Sequence, residues 1–245
     1  MVAPCDVLAV GAHPDDVELG CGGVLARLAA AGRRVGIVDL TAGELASRGT
    51  VMQRREEARR AATALGVAWR ACLDLPDGAL AAHEPAQQAA LVGVLRRVTP
   101  RVVLSHHGGD PHPDHGQAAE LVRRALFLAG VGRLLPETGA PWRVSLVLKF
   151  PGPRQLLSPQ VMVDVTASYP AKRAALAAHA SQFEPGRGEG EGAPATHLSS
   201  GYFLAAIEGR DRAAGNLIGC EFAEGFAAEA GVSADELAWL LGVER

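Results

Sequence analysis

Residues Asp6 to Asp16 read DVLAVGAHPDD. Val7 to Val10 form a short apolar run closed by Gly11, which suits a strand buried on both faces of a parallel sheet. Beyond it lie a His, a Pro and two acids. Then comes Gly20–Ala31, where Val24, Leu25 and Leu28 share one helical face.

The unit repeats downstream. Arg34–Leu40, RVGIVDL, reads as a second strand. Met52–Leu65 places Ala58, Ala61, Ala62 and Leu65 at helical spacing before Gly66, a stop signal. Ala86–Val98 repeats that spacing with Leu91, Val94, Leu95 and Val98, and Arg101–Ser105 is a further strand after Pro100. Strands alternating with helices of about 12 residues predict right-handed βαβ units. The expected class is α/β: a Rossmann-like, mostly parallel sheet with helices on both faces. Val144–Phe150 and Val161–Val165 read as later strands, Tyr169–Ala180 and Gly201–Gly219 as helices. Ser233-Ala-Asp-Glu236 fits a capping box opening a last helix. The C-terminal third is expected to be irregular. Arg187–Pro194, RGEGEGAP, marks a flexible loop at about 186–195. With no repeat and no clear linker, a single domain over 1–245 is expected.

Composition sets the outer bounds. The chain has 245 residues, with 24 Lys+Arg against 27 Asp+Glu for a formal charge of −3. That excludes a strongly basic chain built to cover nucleic acid. Apolar residues at 48% and charged ones at 21% are globular proportions, not disordered ones. No apolar run approaches the ~20 residues of a membrane span, and no basic segment precedes Val7, so a cytoplasmic location is expected. Cys5, Cys21, Cys72 and Cys220 form no CxxC pair and read as reduced thiols.

Two tetrapeptides carry the chemistry. His13-Pro14-Asp15-Asp16 sits at the carboxyl end of the first strand, where open α/β sheets form their sites. Either acid also suits a simple helix cap. His112-Pro113-Asp114-His115 follows the strand Arg101–Ser105 and precedes a helix starting near Gly116, an equivalent place in a βα unit. If the two strands are neighbours, His13, Asp16 and His115 converge. Two imidazoles and a carboxylate suit a catalytic zinc that keeps a position for water, and ferrous iron shares such ligands. Asp15 is then a spare acid and His112 a spare imidazole, with Asp114 placed to orient it. His106 and His107 lie nearby and suit either a supporting place behind the ligands or, the favoured reading, simple loop positions. Glu44 lies on the same sheet edge and suits either substrate contact or solvent. Arg54 opens an arginine-rich helix and suits a solvated face. Tyr202 suits packing. Gly20-Cys-Gly-Gly23 lacks the phosphate-loop fingerprints and reads as a close helix–strand contact.

AHPDD at Ala12–Asp16 with HPDH at His112–His115 resembles the LmbE-like, or PIG-L, zinc-dependent N-deacetylases. DLTAGELASRGT at Asp39–Thr50, QRREEA at Gln53–Ala58, SQF at Ser181–Phe183, SGY at Ser200–Tyr202 and EFAEGF at Glu221–Phe226 are similar to the bacillithiol-pathway branch. That branch removes acetate from N-acetylglucosaminyl malate. The resemblance implies His13, Asp16 and His115 as zinc ligands and Asp15 as general base. It implies His112, oriented by Asp114, as the group that stabilises the intermediate or protonates the leaving amine. It further implies Arg54 as a substrate contact, Tyr202 at the oxyanion, and a homo-oligomer, hexameric in relatives. Another N-acyl amino sugar (a glycolipid, a diacetyl sugar or an antibiotic intermediate) is the alternative substrate. VLKFPGPR at Val147–Arg154 and the RGEGEGAP loop depart from the family pattern and are placed on the aglycone side.

Overall fold

The computed structural model describes residues 2–185 and 194–242; most of the expected flexible loop lies outside them. In chain order the elements are β1 (Val7–Gly11), α1 (Asp16–Ala30), β2 (Val35–Thr41), α2 (Val51–Leu65), β3 (Trp69–Leu75), α3 (Pro85–Val98), β4 (Val102–His106), α4 (Pro113–Ala129) and β5 (Leu146–Phe150). There follow β6 (Val161–Asp164), α5 (Tyr169–Ala178), α6 (Ala180–Phe183), α7 (Phe203–Ile218), β7 (Ala223–Ala228) and α8 (Ala234–Leu241). The seven-stranded sheet runs β3-β2-β1-β4-β5-β7-β6. β1 pairs in parallel with β2 and β4, and β4 in parallel with β5. The class is α/β, as expected.

Side-chain alternation builds the two faces. Val7 and Ala9 of β1 point into a core shared with Leu25 of α1, Ala175 of α5 and Trp239 of α8. Leu8 and Val10 point into the opposite core with Leu91 of α3 and Leu121 of α4. Every residue of β1, β2 and β4 is buried, which is why these strands read as unbroken apolar runs.

Two strands depart from expectation. β3 is an edge strand interrupted by Arg70 and Asp74, so its sequence does not read as apolar. Arg70 nevertheless turns inward, with a bidentate pair to Asp39 at 2.7 and 2.8 Å and an ion pair to the buried Glu18. β7, of sequence AEGFAA, is poor in strand-favouring residues. It inserts antiparallel between β5 and β6, so the C-terminal third is an ordered antiparallel extension rather than irregular chain. Lys172 of α5 is fully buried there, 2.6 Å from both Asp211 and Glu224. Glu224 in turn accepts from the amides of Gly23 and Val24, tying β7 to α1. The Ser233–Glu236 capping box is formed.

Helix α1 begins at Asp16, ahead of the Gly20 start read from sequence, and it kinks at Cys21. The glycines there serve close packing: a Cβ on Gly20 would overlap the Phe150 ring, and one on Gly23 would stand 2.9 Å from Val165. Gly20→Ala is therefore expected to lower stability by about 1–3 kcal/mol in urea denaturation. Gly209→Ala, where nothing lies within 4 Å of the added Cβ, is expected to gain about 0.5–1 kcal/mol from helix propensity.

Candidate metal centre

Strand order reverses at β1: the chain steps outward to β2 and β3, then returns to the other side of β1 as β4. The β1–α1 and β4–α4 loops therefore leave adjacent strand ends, and a crevice opens between them. The conditional expectation of neighbouring strands is met.

In the first loop Asp15 has φ 109 and ψ −25, left-handed backbone that costs a non-glycine residue about 1–3 kcal/mol. It stands at the N-cap position of α1, yet its side chain makes no capping hydrogen bond. The carboxylate is buried, 3.4 Å from Arg54 Nη2. Burial pushes it up to about 6 against the pull of the Arg54 guanidinium. A simple cap does not account for Asp15.

Asp16 joins the loops. Its Oδ2 accepts from the His13 amide at 2.7 Å and lies 3.4 Å from His13 Nδ1; its Oδ1 is 3.1 Å from His115 Nε2. His106 is not a loop residue. It ends β4, is buried, accepts from the Ala12 amide through Nε2 at 3.1 Å, touches Asp16 at 3.2 Å and stacks on His115. Helix α4 begins at Pro113 with His112 as N-cap, so Asp114 and His115 occupy its first turn.

Asp114 does not orient His112 through its carboxylate. Its Oδ2 instead accepts from the Gly78 amide at 2.8 Å and lies 3.2 Å from His13 Nε2. The link to His112 is made by the Asp114 amide, which donates to His112 Nδ1 at 3.2 Å. Asp77 is absent from the sequence reading because β3 is absent from it; its Oδ1 lies 3.1 Å from the same His13 nitrogen. Glu44 accepts from the Asp77 amide at 2.8 Å and is not part of the cavity wall, so it braces the loop holding Asp77. Tyr202 is exposed, with its phenol oxygen 3.2 Å from His197 Nδ1, and it is also absent from the cavity wall.

The charge balance tests whether a cation fits. Burial opposes charge on both imidazoles, but the carboxylates outweigh it. Asp114, Asp16 and Asp77 hold His13 up at about 12, and Asp16 with Asp110 holds His115 up at about 10. Four carboxylates, Asp16, Asp77, Asp110 and Asp114, stand within 3.4 Å of these two imidazoles, enough negative charge to offset a divalent cation there. The overlapping donor sets His13–His112–His115 and Asp16–His106–His115 each have ligand atoms within 4.8 Å of one another. His13 Nδ1 faces Asp16 while Nε2 faces two carboxylates, the arrangement by which a second ring nitrogen orients a metal-binding imidazole. The residues fit.

A cavity of about 510 Å³ opens above the cluster. Arg54 lies in its wall, but its Nη1 and Nη2 donate to the carbonyls of Gly43 at 3.0 Å and Pro14 at 2.8 Å. A Cβ on Gly43 would overlap Arg54 Nη1. The guanidinium thus fills the glycine's space and clamps the strained turn at Asp15. The SQF motif serves the same wall: Ser181 donates to Glu57 and Gln182 to the Arg48 carbonyl.

Residues 8–126 match the profile of the PIG-L family, described as GlcNAc-PI de-N-acetylase. The chain is 32% identical to a 1D-myo-inositol 2-acetamido-2-deoxy-alpha-D-glucopyranoside deacetylase of Kineococcus radiotolerans, over 73% of this chain and 69% of that protein. The crystal structure of the conserved protein TT1542 from Thermus thermophilus superposes with a TM-score of 0.83 at 38% identity, covering 94% of this chain and 96% of that one. GalB, the 4-carboxy-2-hydroxymuconate hydratase of Pseudomonas putida, superposes at 0.75 with 26% identity, covering 96% and 98%.

If Asp114 orients His13, Asp114→Ala is expected to weaken metal retention about 10–100-fold, read by chelator competition. Unchanged retention in that variant would leave the Asp114–His13 contact without a role at the metal.

Proposed function

The chain belongs to the PIG-L family of deacetylases, and on that premise we propose that it hydrolyses the N-acetyl group of an N-acetylglucosamine conjugate with zinc as cofactor. N-acetylglucosaminyl malate is the first candidate, on the motifs shared with the bacillithiol branch. The inositol conjugate is the second, because the Kineococcus relative is named for that reaction.

The observation that carries the reading is Asp15: a buried carboxylate in strained backbone, uncommitted as a cap, beside the cluster. His13, Asp16 and His115 are the proposed ligands, with His112 within stacking distance of His115. A bound zinc supplies a lowered water pKa and polarises the acetyl carbonyl; ferrous iron suits the same ligands.

The chain's own residues supply the rest. Asp15 accepts a proton from the attacking water as its oxygen adds to the acetyl carbon. His112 lies on the same cavity wall. Burial and the neighbouring imidazoles lower its pKa, so the ring rests neutral. The proton that Asp15 took from the water passes to the sugar nitrogen, with His112 as the carrier, as the C–N bond breaks, leaving acetate and the free amine. Arg54 holds the Asp15 turn and is a positioning residue. Tyr202 is 62% exposed on the His197 side, so we assign it no role at the oxyanion in this geometry.

The test is free-amine release from both conjugates by metal-depleted protein and by protein reloaded with zinc. Release is expected only after reloading. Asp15→Asn is expected to keep the metal and lower kcat by about 10²–10⁴. Near-normal turnover in Asp15→Asn would remove it as the base.

A further inference from the structure

The cavity wall contains three arginines, Arg48, Arg54 and Arg154. Two of them spend guanidinium donors on backbone carbonyls. Arg48 donates to the carbonyls of Ser181 at 2.8 Å, Pro194 at 3.2 Å and Glu184 at 2.6 Å. Arg54 is bound to Gly43 and Pro14 as described. Arg154 differs: it is exposed at the cavity rim and makes no hydrogen bond or ion pair among the described residues.

The backbone beneath Arg154 is held firmly. The Gln155 amide donates to the Gly152 carbonyl at 3.2 Å, closing a turn with Pro153 and Arg154 at its tip. The Gln155 side chain accepts from the Gly152 amide at 3.2 Å and its Nε2 lies 2.7 Å from His107 Nδ1. Gly152 is required there, because a Cβ would overlap Asp110 Oδ2. Asp110 itself lies 3.2 Å from His115. The turn is therefore docked on the metal cluster, and Pro153 restricts it further. The result is a firmly held base carrying an unspent guanidinium in the cavity wall.

Charge across the cavity is divided. The floor is crowded with Asp15, Asp16, Asp77 and Asp110, which disfavour an anion unless the metal is present. The rim at Arg154 offers a planar fork of donors to a carboxylate or phosphate. A substrate whose acetamido group sits on the floor extends the rest of the molecule toward the rim.

We propose that Arg154 is a specificity-determining residue that binds an anionic substituent on the aglycone of the amino sugar. The inference rests on the deacetylase reading above and adds the class of substrate: a charged aglycone in preference to a neutral polyol. A carboxylate aglycone and a phosphodiester aglycone share this chemistry, and the experiment separates them.

Metal-loaded wild type, Arg154→Ala and Arg154→Lys are assayed on N-acetylglucosaminyl malate, on the neutral inositol conjugate and on that conjugate carrying a phosphodiester. Wild type is expected to prefer an anionic conjugate at least tenfold in kcat/KM. Which of the two anionic conjugates leads identifies the group. Arg154→Ala is expected to raise KM for the preferred conjugate about 10–100-fold with kcat nearly unchanged, and to leave the neutral conjugate within about twofold. Arg154→Lys should recover part of the loss, since an ammonium keeps the charge without the fork. Equal use of charged and neutral conjugates by wild type, or equal losses on both in Arg154→Ala, overturns the proposal and leaves the deacetylase reading standing. If no conjugate is turned over, calorimetric binding of the malate conjugate to Asp15→Asn and to Asp15→Asn/Arg154→Ala decides. Binding at least tenfold weaker in the double variant upholds Arg154 while the deacetylase reading falls; equal binding overturns Arg154.

Discussion

The carboxylate of Asp16 is the contact on which the site depends. It is buried and bonds to the amide of its own loop, and it reaches the imidazoles of His106 and His115 across the crevice. Burial raises the cost of its charge, and those imidazoles outweigh that cost and hold it well below the usual carboxylate range. A buried charge is tolerated only with such partners. Once Asp16 is ionised there, the surrounding carboxylates make the pocket a place for cationic charge. That charge balance accounts for the convergence of His13 and His115 at one point.

Holding that point rigid takes a wider shell. Asp15 keeps its left-handed backbone because Arg54 ties the Pro14 carbonyl to the Gly43 carbonyl of the next loop. Thr41 adds a second tie by donating to the Ala12 carbonyl through both amide and hydroxyl. Below, Glu18 and Asp39 share the guanidinium of Arg70, which locks α1 and β2 to the edge strand. Behind, Lys172 joins Asp211 and Glu224 and secures the antiparallel extension to the kinked helix. These buried groups are mutually compensated, so loss of one partner leaves an unpaired buried charge.

Sequence legibility follows burial. β1, β2 and β4 are covered on both faces, and their apolar runs show it. The two His-Pro-Asp segments are legible because each follows such a strand. β3 is not, since an edge strand accepts Arg70 and Asp74. With it goes Asp77, which contacts His13 from 64 residues away. His106 looks like loop, as any histidine at a strand end does, until its partner, Asp16 on the neighbouring strand's loop, is in place. Asp114 goes to the wrong imidazole for a related reason. Proximity in sequence favours His112, but the first helical turn points its carboxylate back toward His13. Tyr202 rests on motif resemblance and Glu44 on its place at the sheet edge, and the fold sets both outside the cavity wall.

The site also divides its tasks between the halves of the chain. The cluster hangs from β1 and β4, parallel strands whose register is set by buried side chains on both faces and leaves little freedom. The rim comes from the turn after β5 and from the segment before α7, where Arg154 and His197 sit on loops that tolerate change. Relatives of this fold are named as deacetylases and, for GalB, as a hydratase, and both names imply the use of water. The proposed floor, a cation site beside a base, would serve either reaction. What the molecule acts on is then decided at the rim, by which charges the exposed side chains present. In this chain Gly152 lets the β5 loop dock against Asp110, and the docked turn leaves the Arg154 guanidinium exposed at the cavity.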